Sequence, residues 1–159
     1  MTEIIRADYR HPPHAEAIIA LMQVYAQDIM GGGEPLAEGV TSVLVERLSA
    51  VSGAVSVLAF VEGKPAGLLN AFAGFSTFAA RPLLNIHDLT VAPEFRGRGI
   101  GRALMAEAET LARERGCVKL TLEVLEGNVV AQSLYEALGY GDYVLDPAQG
   151  RALFWQKKL

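Results

Sequence analysis

The sequence predicts a single α+β domain, 1–159, whose mixed, mostly antiparallel sheet is flanked by helices. Three observations predict it. Val55–Val61 and Ala66–Phe75 are apolar runs on either side of the turn Glu62-Gly63-Lys64-Pro65, so they read as a hairpin. The expected order, β-α-α-β-β-β-α-β-α-β-β, puts three strands in a row, which argues against a doubly wound parallel sheet. The chain has 159 residues, 51% hydrophobic and 20% charged, enough for one sizeable core.

Each element has a local reason. Ile4–Ala7 is a short apolar first strand. His14–Ile29 carries Ala17, Ile18, Leu21, Met22, Tyr25 and Ile29 at helical spacing, with Pro12 and Pro13 at its start. Gly31-Gly32-Gly33 makes Met30–Pro35 a loop. A second helix covers Leu36–Ala50, and Leu83–Val91 is a third strand of the central run. Gly99–Arg115 places Ile100, Leu104, Ala108 and Leu111 on one face and stops at Gly116. Lys119–Val124 alternates as a strand. Asn128–Leu138 is a helix opened by an N-cap residue and closed by Gly139. Tyr140–Leu145 and Ala152–Lys157 are expected to finish the sheet, joined by the turn Asp146–Gly150.

Bulk properties exclude several classes. A net charge of −4 argues against nucleic-acid binding. The single cysteine, Cys117, has no disulfide or metal-site partner and reads as a small core residue. No apolar stretch reaches membrane-span length, and the first residues do not read as a signal peptide, so a cytoplasmic location is expected and no membrane partner.

Chemistry concentrates in Val91–Leu104, V-A-P-E-F-R-G-R-G-I-G-R-A-L. A strand feeds a turn in which Gly97, Gly99 and Gly101 alternate with Arg96, Arg98 and Arg102, and the turn feeds a helix. Glycine allows tight turns and close ligand approach. A helix start offers unpaired N–H groups and partial positive charge, which suit phosphate oxygens. The P-loop string G-x-x-x-x-G-K-[ST] does not occur. The dinucleotide fingerprint G-x-G-x-x-G fails on spacing, because its last position falls on Arg102 or Leu104.

The string present, Arg96-x-x-Gly99-x-Gly101 after Val91-x-Pro93, resembles the acetyl-CoA motif of the GCN5-related N-acetyltransferase (GNAT) superfamily. Asn128, Ser133, Leu134, Tyr135, Leu138, Gly139 and Tyr140 resemble the family's downstream N-x-x-A-x-x-L-Y-x-x-x-G-[FY] segment. The resemblance implies a GNAT-like acyl-CoA N-acyltransferase fold. It implies acetyl-CoA as co-substrate, with no metal required, and transfer to a small-molecule amine. By the same resemblance Gly97, Arg98, Gly99, Ile100, Gly101 and Arg102 place amides on the CoA pyrophosphate, with Arg96 or Arg98 adding charge. Leu89, Thr90 and Val91 lie where the family strand splays to pair with the pantetheine arm. Asn128 matches the position that contacts that arm, and Tyr135 matches the general acid.

Amine attack on a thioester needs a neutral amine, an oriented carbonyl and a proton for the departing thiolate. His87 and Asp88, just before the splay, are candidate bases or substrate anchors. As strand neighbours they are expected on opposite faces, so that one faces the cleft. In the polyamine (diamine) branch that the chain resembles, an acidic pair holds this place; here His87 replaces the first acid, which weakens a polyamine substrate. Tyr25, Asp28 and Glu34 flank the triple-glycine loop and are candidate acceptor-site residues, as are Phe75 and Phe78. A homodimer fits both the resemblance and the apolar strand Leu153–Trp155. A non-catalytic acyl-CoA-binding module and an acetyltransferase of protein amines are the alternatives.

Overall fold

The element order in the computed structural model, which describes Met1–Leu159, is β1 (Thr2–Arg6), α1 (Pro12–Gln27), α2 (Val40–Ala50), β2 (Val55–Val61), β3 (Lys64–Ser76), β4 (Arg81–Val91), α3 (Ile100–Glu114), β5 (Leu120–Leu122) and α4 (Val129–Ala137). Five strands form one sheet in the order β1-β2-β3-β4-β5. The first three pairings are antiparallel, and β4 with β5 is parallel. The expected fold class is therefore present. The chain divides into two compact units, Met1–Leu122 and Glu123–Leu159.

The first unit holds the sheet and its core. Leu58, Leu68, Leu69 and Leu84 are fully buried on the strands. The face of α3 read from the sequence is the one it buries: Ile100, Leu104, Ala108 and Leu111 are all 5% exposed or less. Burying a leucine such as Leu104 contributes about 2 kcal/mol. Gly67 of β3 lets this helix approach, since a Cβ there would lie 2.9 Å from Ile100 and 3.0 Å from Leu104. Arg6 of β1 reinforces the contact through Glu107 and Glu114 of α3, at 2.6 and 2.8 Å. The opposite face carries α1, where Asn70 of β3 donates through its amide to the Met22 sulfur at 3.4 Å.

Two register shifts shape the hairpins. One lies at Ala59/Phe60 and the other at Asn70/Ala71. At the second, Asn70 pairs with Asp88 and Ala71 with Ile86, so His87 is the extra residue of a β-bulge. Beyond the bulge, no strand pairs with the outer edge of β4, because β5 meets it only from Leu84 to Ile86.

The second unit holds α4. Asn128 caps this helix, its side chain accepting from the Ala131 amide at 3.2 Å. Residues 140–145 and 152–157 are not strands, contrary to the sequence expectation. A single backbone bond, Ala152 N–H to the Tyr143 carbonyl, replaces the expected ladder, and Leu153, Phe154 and Trp155 stand exposed. Strand propensity expresses itself only where a partner edge supplies the hydrogen bonds. The expected turn is a 3-10 turn at Pro147–Gln149. Cys117 is half-buried rather than a core residue.

Candidate active site

The glycine-rich turn follows β4 through a 3-10 turn, Pro93–Phe95, and opens α3. Gly97 and Gly99 have φ of 74° and 77°, the left-handed region that suits glycine. Gly99 is the N-cap of α3 and no side chain caps the helix. The first-turn N–H groups of Ile100, Gly101 and Arg102 thus have no side-chain acceptor, as an anion site requires. Ile100 itself turns its side chain into the core.

The three arginines of the turn differ. Arg96 donates through Nε to the Val91 carbonyl at 3.1 Å and through its terminal nitrogen to Asp28 at 2.8 Å. Arg98 lies over the Phe95 ring, 5.4 Å from its centroid. Arg102 is exposed. Arg96 therefore ties the end of β4 and the phosphate-type turn to the loop after α1.

Asp28 is the other end of that tie. Its carboxylate accepts from the Met30 amide at 2.9 Å, and its backbone carbonyl accepts from Gly31 and Gly33. The Met30 hydrogen bond first, and then Arg96, hold the carboxyl below the usual aspartate range. A depressed folded pKa stabilises the fold above the unfolded value of about 3.9. That contribution is lost as pH falls through the lower folded value. Asp28→Ala is expected to cost about 1 kcal/mol at pH 7, as loss of a capping residue does. The gap from wild type should begin to narrow below about pH 4, where the unfolded carboxyl protonates, and close only as pH falls through the lower folded value. Urea unfolding of both proteins at pH 7 and pH 3 checks this.

Asp88, Tyr25 and Asp28 converge on the face that carries α1. Burial first, and then the charges of Asp88 and Asp28, push the Tyr25 phenol up, so it stays neutral. Asp88 accepts from the Asn70 amide at 3.0 Å. His87 is exposed, its ring edge-on to Phe72 at 5.4 Å. Phe72 and Asn70 alternate by two on β3 and share a face, so His87 packs on the same face as Asp88. The bulge thus overturns the expectation that these neighbours point to opposite faces.

The remaining candidates are dispersed. Glu34 is exposed on the triple-glycine loop. Phe75 and Phe78 are 62% and 88% exposed at the turn end of the β3–β4 hairpin. Thr90 is buried, while Leu89 and Val91 are half-buried on the stretch of β4 whose outer edge no strand pairs with. In the second unit, Tyr135 is 9% exposed, its ring 6.0 Å from that of Tyr140. Sequence reasoning missed Ser56 and Asn70, which are buried in register with Asp88. The available signal was a lone serine and a lone asparagine inside otherwise apolar strands.

The fold and the turn define an acetyltransferase class. Residues 23–140 match the model of the Acetyltransferase (GNAT) family, most of the chain, and the protein belongs to that family. A streptothricin acetyltransferase of Streptomyces lavendulae is 46% identical over 88 residues, covering 54% of this chain and 47% of the relative. A thialysine N-epsilon-acetyltransferase of Caenorhabditis elegans is 30% identical over 135 residues, covering 81% of this chain and 78% of the relative. The match thus spans about half the length of the first relative and more of the second. An aminoglycoside N-acetyltransferase solved in complex with CoA shares the fold at a TM-score of 0.75. It is 19% identical, over 100% of this chain and 96% of the other.

Proposed function

We propose that this chain transfers an acetyl group from acetyl-CoA directly to a primary amine of a small molecule. The observation that carries the proposal is the uncapped start of α3 behind Gly97 and Gly99, beside a stretch of β4 whose outer edge no strand pairs with. The amides of the turn hold the pyrophosphate, and the outer edge of β4 at Leu89, Thr90 and Val91, where no strand pairs, receives the amide groups of the pantetheine arm. Asn128 contacts that arm. Family membership and the CoA-bound structural neighbour support this assignment of the donor.

On the acceptor side, Asp88 anchors the amine as its ammonium ion and His87 takes its proton. The neutral amine attacks the thioester, forming the C–N bond and a tetrahedral intermediate. Collapse breaks the C–S bond, and Tyr135 protonates the departing thiolate. Tyr25 borders the amine site, and Glu34 adds negative charge at its rim. The names of the relatives, acetyltransferases of streptothricin and thialysine, support a small amine as acceptor. The protein acts as a single catalytic domain in the cytoplasm. No helix is long and apolar enough to cross a membrane. The exposed Leu153, Phe154 and Trp155 support a homodimer, to be read by sedimentation.

Two measurements test the function. Calorimetry should detect acetyl-CoA binding; silence at millimolar ligand ends the proposal. A panel containing thialysine, streptothricin and neamine should yield release of free CoA with at least one amine. Binding of acetyl-CoA without transfer to any amine would make the chain a binding module.

A further inference from the structure

Ser56 and Asn70 are 1% and 2% exposed, and neither belongs to the acetyl-CoA motif. They lie side by side in register on β2 and β3, and Asn70 lies beside Asp88 of β4. A line of hydrogen bonds joins them. The Ser56 hydroxyl donates to Asn70 Oδ1 at 2.6 Å, and Asn70 Nδ2 donates to Asp88 Oδ2 at 3.0 Å. The Tyr9 hydroxyl meets Ser56 Oγ at 3.0 Å.

The charge of Asp88 sets the direction of this line. An ionised carboxylate only accepts, so the Asn70 amide must present its NH2 to it. The amide oxygen then faces Ser56, whose single hydroxyl hydrogen is committed to it. The Ser56 oxygen is left to accept, which fixes Tyr9 as its donor. Each group has one satisfied orientation, and a buried polar network of this kind is rigid. The Asn70 amide is held further by the Met22 sulfur at 3.4 Å. Oδ1 of Asp88 takes no part in the line, so the carboxylate is gripped by one oxygen only. The grip sits at the bulge, where backbone pairing alone aims the side chain least firmly.

We propose that Tyr9, Ser56 and Asn70 are positioning residues that aim the Asp88 carboxylate at the acceptor amine. The inference rests on the acetyl-transfer reading for the identity of what Asp88 faces. Sheet stability alone would explain a satisfied serine and asparagine, so the test must separate aim from stability. Ser56→Ala removes one hydroxyl and little volume, and Tyr9→Phe removes only the far donor. With the best amine of the panel, Ser56→Ala should lower kcat/KM for the amine about tenfold and Tyr9→Phe two- to threefold. The KM for acetyl-CoA and the Kd for CoA should stay within twofold for both. A lowered Tm with unchanged amine kinetics overturns the proposal, as does an equal loss for amine and acetyl-CoA. Should the wild type acetylate no amine, the transfer reading fails by itself. The relay is then judged by the 13C signal of the Asp88 carboxyl, which Ser56→Ala must move; an unmoved signal overturns it.

Discussion

Tyr135→Phe is expected to lower kcat about a hundredfold while leaving the Kd for CoA within twofold. The size follows from what the hydroxyl is asked to do. A thiol has an ordinary pKa of about 8.5 and a tyrosine about 10, so complete proton transfer from phenol to thiolate is uphill by about 2 kcal/mol. The hydroxyl therefore helps chiefly as charge builds on sulfur in the transition state, and a positioned acid of this kind is worth about 10²–10⁴ in rate. The low end fits an unfavourable transfer. Phenylalanine keeps the ring that packs within 6.0 Å of Tyr140, so folding should survive. A drop in kcat with CoA binding retained assigns the hydroxyl to the chemical step. Turnover at the wild-type level would remove Tyr135 from the mechanism.

The sequence made the glycine-rich turn and α3 legible because their signals are local. Gly97 and Gly99 stand in a glycine-rich string between strand and helix, where a tight left-handed turn is expected, and the stripe from Ile100 to Leu111 marks the buried face of α3 without reference to any other element. The arrangement around His87 and Asp88 is set by register, which no short window contains. Whether His87 and Asp88 part or share a face depends on one extra residue opposite β3. The line from Ser56 to Asp88 joins positions 14 and 18 residues apart, and the Arg96–Asp28 pair spans 68. The C-terminal segments failed for the opposite reason. Their composition favours strands, yet propensity describes fitness for a pleated, partnered surface, and the isolated chain gives them one backbone bond.

Gly99→Ala should separate the two roles of the turn, chain reversal and ligand grip. At φ 77° an L-residue is strained by about 1–2 kcal/mol, and no protein atom lies within 4 Å of the new methyl group. Loss of stability therefore comes from backbone strain alone. The methyl group projects into open space beside the first amides of α3, where the proposed function puts the pyrophosphate. CoA affinity should fall at least tenfold, which is about 1.4 kcal/mol. Gly63→Ala is the matched control: its φ is 75°, its Cβ also meets nothing within 4 Å, and it lies in the β2–β3 turn. Both variants should lose similar stability on urea unfolding, and only Gly99→Ala should lose CoA in calorimetry. Equal CoA binding by the two would show that the glycines of the turn serve the backbone and that the grip on the pyrophosphate lies elsewhere.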